Sequence, residues 1–265
     1  MYFRSRLLYA AATCVLSGGC AFADTFSIPG TGDGIEIFQE LARSFVQQGA
    51  TATIEIPASI GSGGGIAAVS DGRASLGRIA RPLSAAETEA GLSATPIMKI
   101  PSAIFVHPMV GVDNLTYAQL AGIYSGAFAD WSEVGGTPMR IRVVRRDSED
   151  STLKVLRATM PGWKDIVVTP RSKIAVTTQE AVRTVRETEG AIGFGPLSAT
   201  IDAGVRVVKI EDLDPSFANY PSFVTVSLIY RAETLSQAAA SFVAFAQSEI
   251  AQAAVRKLGA LPVAN

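Results

Sequence analysis

Apolar and polar positions follow two periods in turn along almost the whole chain. In GIEIFQELARSFVQQG, Ile37, Leu41 and Phe45 recur on one side of a 3.6-residue helix, joined by Phe38 and Ala42, so the spacing predicts an amphipathic helix. TFSIPG before it and ATIEIPAS after it read as short strands. GIAAVSDG reads as a short helix ended by glycine, and ASLGRIARPL as a strand closed by Pro82. Ser84 and Glu87 stand at capping-box spacing and start another helix. ATPIMKIPSAIFVHP is a long apolar extended stretch. Beyond it the pattern restarts. LTYAQLAGIYSG predicts a helix with a Thr116 cap and Gln119 at the box position. MRIRVVRRD is a strand, STLKVLRAT a helix, and TTQEAVRTVRETEG a helix with Thr177 and Glu180 at box spacing. AIGFGPL, VRVVKI and FVTVSLIY are strands, and an Ala-rich segment from Leu235 to Gly259 closes the chain as one or two helices.

This alternation of strand and helix predicts an α/β fold of mostly parallel sheets flanked by helices, in two units between which the chain crosses twice. The chain has 265 residues, 48% hydrophobic and 18% charged, which is enough to build a sizeable core. Its formal charge is −1, from 23 Lys+Arg against 24 Asp+Glu, so no basic excess points to nucleic acid or an anionic membrane.

The first residues change the picture of the compartment. Arg4 and Arg6, then an uncharged apolar run, then Ala21-Phe22-Ala23 ahead of Asp24, form the three parts of a secretory signal peptide over residues 1–23. Its removal takes away both cysteines, Cys14 and Cys20, and two Arg, giving a formal charge of −1 − 2 = −3. An exported, periplasmic, disulfide-free protein is expected. A lipoprotein anchored through Cys20 ranks second, because SGGC lacks the usual Leu three positions before the cysteine.

Candidate chemistry sits at three strand-to-helix junctions. IPGTGDGIEIF and IPASIGSGGGI both pass from strand through a glycine-rich turn into a helix, placing Thr31 and Ser62 where a helix offers orphan N–H donors and partial positive charge. Such a place holds an oxyanion through backbone amides and hydroxyls. Neither run is a Walker loop or a G-x-G-x-x-G turn. The third junction is RRDSEDST. There Arg146 can offer a planar fork to an oxyanion, Asp147 can hold that guanidinium, and Ser148, Ser151 and Thr152 supply hydroxyls and a helix start. Glu149 and Asp150 count against an anion directly over this turn. Arg78 and Arg81 read as a solvated strand end or as ligand contacts. His107 is the single histidine and reads as structural; Trp131 and Trp163 read as packing residues. One His, a leader holding every Cys and the absence of a G-x-S-x-G elbow place an enzyme last among the alternatives, with no cofactor or metal expected.

Taken in order, GSGGGIAAVSDGRASLGRIARPL, LTYAQLAGIYSGAFADWSEVGG, RRDSEDST, GAIGFGPLS and FVAFAQSEIAQAAVRKLGALPV resemble the phosphate-binding proteins of bacterial phosphate ABC transporters, which are type II periplasmic binding proteins. The resemblance implies lobe I over residues 24–106 plus 222–265 and lobe II over residues 107–221, joined by two crossover strands. It also implies phosphate or a similar oxyanion as ligand, a permease as partner and a monomer that does no chemistry. Thr31 and Gly32 match the family's first anion turn, Ser62 and Gly63 the second, and Arg146, Asp147, Ser148, Ser151 and Thr152 its second-lobe loop. The chain departs from that loop at Glu149 and Ser151, where glycines are usual, and at Asp150, where a binding Ser is expected. Ala80 replaces an Asp that some phosphate binders use to accept the ligand's proton. These departures support an alternative: a sensor or binding module of the same fold for a larger phosphorylated ligand or a protein partner.

Overall fold

A computed structural model describes residues 24–197, 201 and 204–263; the expected leader, with Cys14 and Cys20, lies outside them. The chain begins with strand β1 (Asp24–Ser27), helix α1 (Ile35–Gln47) and strand β2 (Ala52–Glu55), in which β1 and β2 pair in parallel. In α1 the residues buried are Ile37, Phe38, Leu41, Ala42 and Phe45, the face read from the spacing. Helix α2 (Gly61–Ser70) follows, then β3 (Gly77–Ile79), α3 (Ala85–Glu89) and the long strand β4 (Ser93–Val106). The Ser84–Glu87 capping box is present at α3. The second stretch holds β5 (Asn114–Leu115), α4 (Tyr117–Ser125), β6 (Arg142–Arg146), α5 (Ser151–Thr159), β7 (Ser172–Ala175), α6 (Thr178–Glu187), β8 (Ala191–Pro196) and β9 (Arg206–Ile210). The chain ends with β10 (Phe223–Tyr230), α7 (Gln237–Ala246), α8 (Glu249–Lys257) and β11 (Leu261–Pro262).

At α4 the Thr116–Gln119 box closes in both directions. At α6 only half of it forms. Thr177 accepts from the Glu180 amide, but the Glu180 carboxylate accepts from Val176 N, one residue before the cap. The Ala-rich segment forms two helices because Ser248 caps a new one, its Oγ accepting from Ala251 N.

The principal sheet runs β3-β10-β4-β8-β6-β7. Its outer pairs β6·β7 and β6·β8 are parallel, as are β1·β2 and β5·β9. Around the two crossing strands, β4 and β10, the pairing is antiparallel. β4 joins the halves: Ser93–Pro101 pairs with β10, and Ser102–Val106 with β8. The cores divide at the same place. Ile97, Met98 and Ile100 pack with α1, α7 and α8, whereas Ile104 and Val106 pack with α4, Trp131 and Trp163. The change of core therefore falls inside β4, five residues ahead of the 106/107 division expected. Trp131 and Trp163 are fully buried, and Trp163 sits 4.8 Å from Tyr124 and 5.8 Å from Phe194, ring to ring. Such ring pairs each add ~0.5–1.5 kcal/mol beyond their burial. His107 caps the 3₁₀ turn Pro108–Val110, its Nδ1 accepting from Met109 N at 3.2 Å.

Candidate functional site

The first wall is the meeting of three chain segments, and Arg78 ties them together. Its guanidinium is completely buried. Nε donates to Thr31 O at 2.6 Å, Nη2 to Pro57 O at 2.6 Å, and Nη1 to Ile28 O. The backbones interlock as well: Thr31 N donates to Arg78 O, Arg78 N to Pro29 O, and Ile60 N to Gly30 O. The contact is so close that a Cβ on Gly30, at φ 146°, would lie 1.9 Å from Arg78 O. On Gly65 a Cβ would meet Gly30 Cα at 2.9 Å and Arg78 O at 3.0 Å. The glycine run is therefore not a turn ahead of a helix, as its composition led one to expect. It is the first turn of α2, entered through Gly61 at φ 74°, and packing against Gly30 selects a helix its propensities disfavour. Arg78 is a buried tie within this wall, not a solvated strand end, and Arg81 pairs instead with Glu87 at 2.7 Å.

The second wall comes from β6, α5 and the start of α6. Arg146, the last residue of β6, donates from Nη1 to Thr178 Oγ1 at 3.0 Å and from Nη2 to Val176 O at 3.1 Å. Its counter-charge is Asp150, 2.8 Å from Nη2, and not Asp147, whose Oδ1 accepts from Glu149 N. Asp150 is also the N-cap of α5, accepting from Leu153 N at 3.0 Å. The residue that read as a repulsive intrusion thus has two structural partners. Glu149 lines the cavity and pairs with Lys154 at 2.7 Å, its side chain 81% exposed.

The walls face each other across a cavity of about 420 Å³ lined, among the residues singled out from sequence, by Thr31, Gly32, Ser62, Gly63, Arg146, Asp147, Glu149, Asp150 and Ser151. They also touch: Ser62 Oγ hydrogen-bonds Ser151 Oγ at 3.0 Å, and Ser62 Oγ accepts from Ala80 N at 3.0 Å. Two sequence candidates do not line it. Ser148 is exposed and opens onto a separate hollow with Leu153 and Arg157. Thr152 is buried, its Oγ1 without a hydrogen-bond partner among the described residues. Arg146 Nε is likewise buried and unpartnered among them.

Sequence reading missed Asp33, Ser59, Val176 and Thr178 as wall residues. Thr178 could have been found as the residue after a helix cap. Asp33 stood in plain view in GTGDGI, but nothing local marks it as facing the RRDSEDST turn. It is 5% exposed, and its backbone N–H bonds Thr31 Oγ1. Burial first, then the nearby Asp150 charge, push its carboxyl up to about 7, against the pull of Arg146, Thr31 and Arg78. Burial also raises Asp150, opposed by Arg146. Burial lowers Arg78 to about 10, with Asp33 opposing, so it stays cationic at neutral pH. No group of three or more His, Cys, Asp or Glu that could hold a metal ion occurs among the described residues. The cavity thus gathers hydroxyls, the Arg146 guanidinium and the first residues of α2, beside the carboxyls of Asp33, Asp147, Glu149 and Asp150.

Comparison with known proteins relates the chain to a family. A model of the PBP superfamily domain matches residues 20–249. The phosphate-binding protein PstS of Bacillus subtilis is 28% identical over 184 residues, 67% of this chain and 59% of PstS, so the chain spans less than two thirds of that relative. A Clostridium perfringens protein assigned as a phosphate ABC transporter substrate-binding protein, solved with bound phosphate, superposes with a TM-score of 0.83 at 28% identity, covering 91% of this chain and all of that one. An ABC-type phosphate transport receptor from Vibrio cholerae shares the fold, with a TM-score of 0.68 at 24% identity over 90% of this chain and all of that one. With the family model matched along most of its length, the chain belongs to the PBP superfamily.

Proposed function

We propose that the chain is an extracytoplasmic solute-binding protein that holds phosphate or a related oxyanion between its two halves and delivers it to the permease of an ABC transporter. The observation that carries this reading is the convergence of Ser62 and the start of α2 from one half with Arg146 and Ser151 from the other on one cavity. The names of the Bacillus and Clostridium relatives support it. Thr31, Gly32, Ser62, Gly63, Arg146 and Ser151 are the contacts, with Asp147 at the rim. Ligand oxygens would separate the Ser62–Ser151 hydroxyl pair and meet the Arg146 guanidinium, and closure of the halves about β4 and β10 would present one face to the permease. The chain does no chemistry on its ligand and acts as a monomer. Placement in the periplasm rests on the leader-like residues 1–23; no described helix is long and apolar enough to cross a membrane.

Titration calorimetry of the dialysed protein with phosphate, sulfate and molybdate tests this. Saturable heat with phosphate is expected, weakened roughly 10–100-fold by Arg146→Lys, which keeps the charge but loses the fork. No heat and no thermal shift with any of these anions would refute the reading.

A further inference from the structure

The cavity between the walls is larger and more acidic than a bare oxyanion requires. Ser62 and Ser151 already touch across it at 3.0 Å, so its volume of about 420 Å³ is not that of a cleft standing open. At ~30 Å³ per water it has room for roughly a dozen waters, and it falls in the range of ~300–1,000 Å³ that holds organic ligands. A single tetrahedral anion fills a small part of it.

The charges in the lining are also unbalanced. Asp33, Asp147, Glu149 and Asp150 face the cavity, against one cation, Arg146. Two of these carboxyls are matched: Asp150 holds Arg146 at 2.8 Å, and Glu149 holds Lys154 at 2.7 Å. The other two, one on each wall, are not. Asp33 is 5% exposed and forms no ion pair among the described residues, and the neighbouring Arg78 guanidinium is spent on three carbonyls. Asp147 is exposed and accepts from the Glu149 amide, with no ion pair among the described residues. Between these groups the lining turns apolar: Ile60 of the first wall and Val176 of the second, 53% and 72% exposed, border the same space.

Resting on the anion-binding reading above, we infer that the ligand is a small phosphorylated amine, with an oxyanion group and an ammonium group a short alkyl chain apart. The oxyanion group sits at Ser62, Arg146 and Ser151. The ammonium group donates to the carboxyls of Asp33 and Asp147, and the alkyl chain lies against Ile60 and Val176. A bare dianion gains the hydroxyls and the guanidinium but also meets two carboxylates that nothing offsets, a repulsion between like charges. A ligand that brings its own cation replaces that repulsion with charge-assisted hydrogen bonds. It also supplies the buried carboxyl of Asp33 with the partner that the protein withholds.

The test is titration calorimetry of the full chain at pH 7.5 with phosphoethanolamine, inorganic phosphate and propyl phosphate, in which a methyl group stands in for the ammonium. Phosphoethanolamine should bind at least ~10-fold tighter than either, which is what one hydrogen bond between charged groups supplies. In Asp33→Asn and in Asp147→Asn, the ratio of phosphoethanolamine to propyl phosphate affinity should fall several-fold. Propyl phosphate binding as tightly as phosphoethanolamine, or inorganic phosphate binding tighter than both, overturns the inference and leaves anion binding standing. A ratio unchanged in both variants, with both ligands still bound, overturns it as well. The wild-type comparison needs no variant to fold. If none of the three binds, the anion-binding reading itself fails and this inference with it.

Discussion

Removing the buried guanidinium at residue 78 is the sharpest test of how the first wall is held. Arg78→Met keeps the length and apolar stem of the side chain but removes its charge and all three donations, to Ile28 O, Thr31 O and Pro57 O. A buried carbonyl left without its donor costs ~1–3 kcal/mol, so three lost partners represent ~3–9 kcal/mol before any relaxation. Against this stands the desolvation of the guanidinium itself, several kcal/mol that the variant no longer bears. The balance is a net loss of about 2–4 kcal/mol. With a urea slope of ~3 kcal/mol/M, that lowers the unfolding midpoint by roughly 1 M. Far-UV circular dichroism through a urea series at pH 7 measures it, with Arg78→Lys alongside. Lys keeps the charge, but one ammonium cannot reach three carbonyls in the plane of a fork, so its midpoint should fall between the two. The same loosening frees the Thr31 turn, and phosphate affinity should drop at least 10-fold in Arg78→Met. A midpoint within ~0.2 M of wild type, with phosphate affinity unchanged, would refute the claim that Arg78 ties the wall.

Gly65→Ala should destabilise by ~1–3 kcal/mol in the same urea assay despite the better helix propensity, because its Cβ would meet Gly30 Cα at 2.9 Å. Gly63→Ala, whose Cβ meets nothing within 4 Å, should leave stability equal or higher; equal effects at both positions would remove close packing as the reason for the glycine. The Asp33 carboxyl is displaced upward from 3.8 to about 7, so the folded state holds a proton the unfolded state has released over that window. Its contribution is therefore present below about pH 4 and lost as pH rises to about 7. Thermal unfolding of Asp33→Asn against wild type should show little difference at pH 4 and a more stable variant at pH 8, by at most ~4 kcal/mol at 1.36 kcal/mol per pH unit. A wild-type-to-variant difference that stays constant from pH 4 to pH 8 would contradict the burial of an unpaired carboxyl there.

Much of this fold is legible because it is local. The buried face of α1 follows from apolar spacing alone, since 3.6-residue periodicity leaves one side to bury. The boxes at Ser84 and Thr116 form as read, because both partners lie within a single turn. What sequence could not decide depends on separation along the chain. The role of Arg78 is set by carbonyls 21, 47 and 50 residues away. The contact of Ser62 with Ser151 spans 89 residues. The partner of Arg146 was misassigned between Asp147 and Asp150, because both lie in the same turn and only the α5 cap geometry turns one carboxylate back on the guanidinium. Asp33 is the extreme case. Composition shows an acid in a glycine turn, but its burial and its facing of Asp150 exist only once the two halves close. Local spacing determined the elements. Tertiary structure decided which charges share that site and which carboxyl stays unpaired, because desolvation and Coulomb interaction depend on distance in space and not on distance along the chain.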